Sequence, residues 1–456
     1  MDQDFMKTKS VLPLVLTMSY PMAISMAVNA LYNIVDSFFV SQISDKAMTA
    51  LSLLFPVQNF AHSVAVGFAI GINAVVAFYM GQGSSGEAEK AATNGIILSA
   101  LHGIILSACC IVIMPWFMDK FTADQDIVNY GTNYTDILFL FAAMDCMAIA
   151  MEKIFQAAGR MKTTMLSLAA GCIINIILDP LLIFGIGPFP ELGIRGAAVA
   201  TGIGQTMPLV IYAVLYKTKP IPVRFRKKYI RPELHMMRRL YSIGNAGTLN
   251  LALPSVQVSI LNAILSSYSA GYVFILGVYY KLQTFLYLSV NGVVQGIRPL
   301  VGYNYGAGEN ERVRKIVRIS IILAAIIMTA GTVVCQLIPD TLMGIFTQDG
   351  AVIQSGSSAL RIISGGFIIS SIPVILSGAL EGLGKGTESL VISLIRYILL
   401  ILPAAFGLSC IMGAVGVWHA FWITELAAAA VSCFIYRRAV RNKAQREYTH
   451  TDNKMI

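Results

Sequence analysis

The sequence predicts an all-α polytopic membrane protein, with twelve transmembrane helices in two pseudo-symmetric six-helix bundles. Three observations lead there. Of 456 residues, 56% are hydrophobic and only 12% charged, where a soluble globular chain carries about 25% charged residues. Apolar runs of the roughly 20 residues needed to cross a bilayer recur along the whole length. The second half of the chain also repeats the first at a fixed offset.

The spans follow in order. The first, near 11–40, is too long for the apolar region of a cleavable signal, and no A-x-A site closes it. Spans near 48–79, 91–118, 129–155, 163–186 and 193–216 complete an N-terminal bundle over 1–216. A basic segment at 217–239, with nine Lys or Arg against one Glu, links it to the C-terminal bundle at 240–436. There the spans fall near 237–266, 272–303, 313–340, 352–379, 387–410 and 413–436, and a tail occupies 437–456. Lys90, Arg160, Lys162, Arg312, Arg314, Lys315, Lys385, Arg437, Arg438 and Arg441 share the side of the termini; the opposite loops offer Lys46, Lys120 and Arg195. The positive-inside rule therefore predicts a multi-pass plasma-membrane protein with both termini cytoplasmic, the basic linker inside and the FTAD loop at Phe121–Asp124 outside.

The net charge of +9 follows this topology, so no nucleic-acid partner is expected, while anionic lipids can accompany the linker. The seven cysteines lie in apolar spans without C-x-x-C spacing, and the five histidines form no H-E-x-x-H pair. Neither a metal site, a disulfide framework nor a catalytic set is expected, and the chain reads as no enzyme.

The repeat is in register over more than a hundred positions at an offset of 225. Gln58 and Phe60 meet Gln283 and Phe285, Gly71 and Gly81 meet Gly296 and Gly306, and Gly131 meets Gly356. FTAD meets FTQD at Phe346–Asp349, and QAAGRMK from Gln156 meets EGLGKGT from Glu381. Near the ends the offset becomes 217, where GAAVA from Gly196 meets GAVGV from Gly413. Six spans per half make the repeats parallel, an architecture of alternating-access carriers. No phosphate-binding loop is present, which leaves an ion gradient as the energy source and no organic cofactor, only H⁺ or Na⁺ as coupling ion.

Within the apolar run AAGCIINIILDPLLIFGIG, Asn175 and Asp179 stand four apart on one helix face. The first span carries Asn29, Asn33 and Asp36 on one stripe with Tyr32 beside it, and Thr201 falls at matching depth in the sixth. A charge at bilayer depth costs about 2.5–3.5 kcal/mol, so such groups mark function. Asp36 and Asp179, with Asn33, Asn175, Tyr32 and Thr201, are the expected ion and substrate ligands. Pro21 and Pro180 should break the helical ladder nearby and serve as hinges. Lys281, Arg361 and Arg396 sit near mid-depth in the second half with few acids among them, in a structural or cleft-lining role.

These residues resemble the multidrug and toxic compound extrusion (MATE) family over essentially the whole chain. The likeness rests on YPMAISMAVNALYNIVDSFFV, on NIILDPLLIFG followed by GIRGAAVATGIGQ, and on PLVGYNYGAGE after the eighth span. It implies export of amphipathic, mostly cationic drugs in exchange for H⁺ or Na⁺, by a chain able to act as a monomer. It also implies an acidic site at Asp36 and Asp179 with Tyr32, Asn175 and Thr201 around it, and a kink at Pro21. A NorM-like branch adds acids in spans 7 and 10; here span 7 has none and span 10 none before Glu381, which favours the MepA-type branch. The alternative within the superfamily is a flippase for lipid-linked oligosaccharide or peptidoglycan precursors.

Overall fold

Helices dominate because each apolar run must satisfy its own backbone within the bilayer. The computed structural model describes residues 5–452, with side chains described over 5–440. Among the described residues, besides short helical turns at Phe5–Thr8, Lys227–Tyr229 and Pro339–Gly344, twelve spans run in order: α1 (Val11–Ser41), α2 (Asp45–Gly81), α3 (Ser85–Phe121), α4 (Gln125–Leu140 and Ala142–Ala157), α5 (Met161–Ile183) and α6 (Ile194–Thr218). The second set is α7 (Leu234–Ser266), α8 (Ala270–Gly306), α9 (Asn310–Leu337), α10 (Gly350–Ser364 and Phe367–Gly382), α11 (Gly386–Leu394, a π-helical turn Ile395–Leu400, and Ile401–Met412) and α12 (Ala414–Asp452). Among the described residues, ten spans are long and apolar enough to cross a membrane, and α10 makes an eleventh as a pair bent by 53°. The twelfth, α4, is interrupted at Phe141 and carries Asp136, Asp145, Glu152 and Lys153. The expected tail at 437–456 begins as a continuation of α12, and Arg441 with the side chains beyond it lies outside the described residues.

The internal repeat becomes a physical symmetry. Ser44 caps α2 by accepting from the Ala47 N–H, and Ser269, 225 positions on, caps α8 through Gly271. Asp124 and Asp349 cap α4 and α10 in the same way. Two repeat-related pairs of helices end on a glycine at positive φ: Gly83 (77°) with Gly308 (80°), and Gly159 (75°) with Gly384 (73°). At each, the next residue's N–H reaches back five positions, as Ser84 to Tyr79 and Glu309 to Asn304, the hydrogen bond that closes a helix around a left-handed residue.

The halves meet through α1 against α8 and α2 against α7, and these seams mirror each other. A Cβ on Gly81 would lie 1.8 Å from the Tyr303 carbonyl oxygen, and one on Gly306 would lie 2.0 Å from that of Phe78. Position 303 is the repeat partner of 78. Gly67 on Thr248 likewise mirrors Gly292 on Ala23. All these approaches fall in the parts of α2 and α8 nearer Gly81 and Gly306. The bundles therefore close against each other at the end that carries the 82–84 and 307–309 turns, and the cleft between them opens toward Ser44 and Ser269. At the open end Lys46 Nζ bridges Asp124 and Asp126 at 2.9 and 2.6 Å, and its ammonium holds the Asp124 carboxyl below its ordinary range.

α1 and α5 run uninterrupted through Pro21 and Pro180. One turn on from Pro21, the Ser25 hydroxyl donates to the Pro21 carbonyl at 2.9 Å. The 217–239 linker is docked onto the bundles: Ile221 and Val223 are buried, Arg226 Nε donates to Glu89 at 3.1 Å, and Lys90 donates to Glu233 at 3.0 Å.

Candidate functional site

The polar groups that the first bundle buries converge between α1, α5 and α6. Asp179 is fully buried, Asn175 and Thr201 nearly so, and Asp36 is 8% exposed. Asn175 Nδ2 lies 3.4 Å from Asp179 Oδ1 and 3.4 Å from Thr201 Oγ1, and the Thr201 hydroxyl reaches Asp36 Oδ1 at 3.5 Å. Ordinary hydrogen bonds of these types run at about 2.7–3.0 Å, so the ring is loose. Asp179 Oδ2 and Asn175 Oδ1 are buried with no hydrogen-bond partner at all. A buried carboxylate oxygen without a protein partner is costly unless something else is to bind there.

The electrostatic surroundings sharpen this. Tyr32 of α1 and Tyr134 of α4 interact with Thr201 and with both acids, and Gln58 of α2 bonds Tyr134. No lysine or arginine is among the groups acting on Asp36 or Asp179. Two acids are thus linked through the neutral Asn175 amide and Thr201 hydroxyl, with no lysine or arginine acting on either of them. The described residues hold no cluster of three or more His, Cys, Asp or Glu suited to a metal ion; carboxylate, amide and hydroxyl groups of this kind can take up a proton or a hard cation.

Asn33 does not join the ring. It is exposed and donates to the Asn29 carbonyl at 2.8 Å. Residues three apart sit about 60° from each other around a helix, so turning Asp36 into the bundle turns Asn33 onto its flank. Tyr134 and Gln58 are the members that sequence reasoning missed. Gln58 carries a signal, its repeat partner Gln283, whereas nothing in the pattern around Tyr134 marks it.

The second bundle is organised by charge pairs. Lys281 and Arg361 are exposed, and Lys281 stands 5.7 Å from the Phe346 ring centre. Arg396, 6% exposed, grips Glu425 with its Nε at 2.9 Å and a terminal nitrogen at 2.6 Å. The same guanidinium donates to the hydroxyls of Tyr397 and Tyr287 at 3.0 and 3.2 Å. The expectation of few acids near Arg396 is thereby corrected: Glu425 lies level with it across α11 and α12. Deeper, Arg298 Nε meets Glu381 at 2.7 Å, with Asn250 on the other carboxylate oxygen at 2.8 Å.

A family model, MatE, matches residues 21–181 and 249–426, most of both bundles. The chain belongs to the MatE family. That membership makes it a multi-pass transporter and not an enzyme. Among relatives of this MatE chain, the multidrug export protein MepA of Staphylococcus haemolyticus is 23% identical over 434 residues, covering 94% of each chain. MepA of Staphylococcus aureus is 24% identical over 92% of each. A solved MATE structure in a straight conformation superposes with a TM-score of 0.90 at 21% identity, over 98% of this chain and 99% of that one. An outward-facing multidrug resistance MATE transporter of the MOP superfamily gives 0.89 at 21% identity, over 97% and 98%. At such identities the structures speak for the fold alone, and the MatE fold is the expected one, two bundles about a central cleft.

Proposed function

We propose that this MatE member is a secondary active exporter that moves amphipathic, mostly cationic drugs out of the cell in exchange for H⁺ or Na⁺ bound at Asp36 and Asp179. The observation that carries the reading is the orphaned Asp179 Oδ2 in a buried ring of two acids with no balancing cation. The multidrug export proteins it resembles along nearly their full length support the drug substrate. In this reading Tyr32, Tyr134, Asn175 and Thr201 complete the ion's shell. Pro21 and Pro180, which free backbone carbonyls one turn back, are the hinges through which ion occupancy bends α1 and α5. A single chain with lipid around it suffices. Arg396 and Arg298 are matched by Glu425 and Glu381, which speaks against the basic cavity that a lipid-linked anion would need.

Efflux from cells lacking their own pumps, with Na⁺ and pH gradients varied independently, tests the coupling. Collapse of one gradient should stop export, and export indifferent to both would end the antiporter reading. The ring also sets substrate sign: ethidium-like cationic dyes should leave faster than anionic dyes of equal size, and a preference for anions would contradict the acid-only first bundle.

The closed end carries the basic 217–239 linker together with Lys90, Arg312, Arg314 and Lys315, so in this reading it lies in the cytoplasm and the cleft faces outward. In a cysteine-free background, a cysteine at Glu191 should label with an impermeant thiol reagent from outside only, and one at Lys228 from inside only. The reverse pattern would invert the topology.

A further inference from the structure

Residues 5–9 cross the closed end of the molecule and touch both bundles there. Phe5–Thr8 is a single helical turn, and Ser10, in non-helical backbone (φ −54°, ψ 140°), separates it from α1. Isolated helices shorter than about 12–15 residues are marginal in water, so what this turn packs on sets its place. On the first bundle it lies against the turn after α4, where a Cβ on Gly159 would sit 2.7 Å from the Phe5 ring and 3.1 Å from Met6 Cε. On the second bundle the Met6 carbonyl accepts from Asn304 Nδ2, near the end of α8, and from Nε and Nη2 of Arg312, at the start of α9. Each of these bonds is 3.2 Å long. The Arg312 guanidinium also donates to the Lys9 carbonyl, and Lys7 Nζ lies 3.3 Å from Glu309. The Met6 side chain is fully buried, in the same apolar core as Phe155 of α4 and Leu300 of α8.

We propose that residues 5–9 are a strap that holds the closed end shut, with Met6 as its anchor and Arg312 as its clamp. Gly159 belongs to the first bundle, and Asn304 and Arg312 belong to the second. Any motion that parts the bundles at this end carries the Gly159 turn away from Arg312, and a five-residue segment, most of it coiled, is too short to follow both. It must give up either the site that buries Met6 or the guanidinium. Both losses are unfavourable. The first returns apolar surface to water, and the second removes hydrogen bonds from a charged donor. Letting go nevertheless leaves α1 intact, because the break at Ser10 allows the strap to swing without unwinding the helix behind it. The strap is therefore a separate unit of low local stability whose release governs how readily the closed end opens. A ligand that opens this end must outweigh the strap by its differential affinity for the open state. The proposal goes beyond the ion-coupled export reading and depends on neither the ion nor the drug.

Spin labels at Lys162 on α5 and Lys315 on α9, both exposed and one on each bundle beside the strap, test it. The measurement uses purified full-length protein in a cysteine-free background, with no drug and no ion gradient. Deletion of residues 2–8 should raise the fraction of long, open-state distances about tenfold over the parent, the size expected when a buried methionine and a charged hydrogen-bond donor lose their partners. The point variants M6S and R312Q should each raise it about fivefold, and they keep the test decisive if the deletion fails to fold. Lys7→Gln removes only an exposed ion pair and should leave the distribution as in the parent. A distribution unchanged by the deletion, unchanged by both M6S and R312Q, or opened as far by Lys7→Gln as by R312Q would each overturn the assignment.

Discussion

Asp179→Asn and Asp36→Asn should each reduce drug export to background while the protein still inserts and folds. Asparagine keeps the size of the side chain and much of its hydrogen bonding, and a neutral amide is cheaper at bilayer depth than a carboxylate. What is lost is the group that takes up and releases the coupling ion. A carrier whose two states no longer differ in ion affinity has nothing with which the gradient can shift them. Thr201→Ala and Asn175→Ala each remove one neutral ligand, worth about 1 kcal/mol, and so should weaken export about fivefold. A purely structural role for the acids gives the opposite ranking, with poor expression and normal export per folded molecule. Efflux normalised to surface expression separates the two.

Gly81→Val and Gly306→Val should each open the closed end of the molecule. The new Cβ meets a backbone carbonyl, 1.8 Å away at Gly81 and 2.0 Å at Gly306, and backbone held in the middle of a helix cannot swing aside as a side chain can. Overpacking of this kind costs about 1–3 kcal/mol or more, and each 1.4 kcal/mol moves a two-state population about tenfold. Since Phe78 and Tyr303 are repeat partners, the two variants should have similar effects. Spin labels at Gln82 and Glu311, both exposed beside that end, report the separation. The distance distribution should shift to longer values in both variants, and distributions identical to the parent would show that the seam is not a closed gate.

Much of this arrangement is legible in the sequence because symmetry is written there directly. A repeat in register brings its caps and turn glycines with it, so Ser44 with Ser269 and Gly83 with Gly308 follow from one alignment. The ring is legible for a related reason: Asp36, Asn175, Asp179 and Thr201 are polar groups where hydrocarbon is expected, and depth along each helix brings them level. Rotation is harder to read than depth, which is why Asn33, expected in the ring, sits on its flank. Pairing between helices is harder still. Arg396 and Glu425 lie 29 positions apart on α11 and α12, and an error of one turn in either boundary hides their contact. The break of α4 at Phe141 has no proline or glycine to announce it.

The central claim is that the Asp36–Asp179 ring holds the coupling ion, and ion exchange on drug binding measures it most directly. With purified protein in weakly buffered detergent solution, adding a cationic drug should release close to one proton per molecule, or displace close to one ²²Na⁺ if sodium is the partner. The variant D36N/D179N should release neither, even at drug concentrations that saturate it. Release of the same proton or sodium by that variant would place the coupling ion elsewhere and contradict the account.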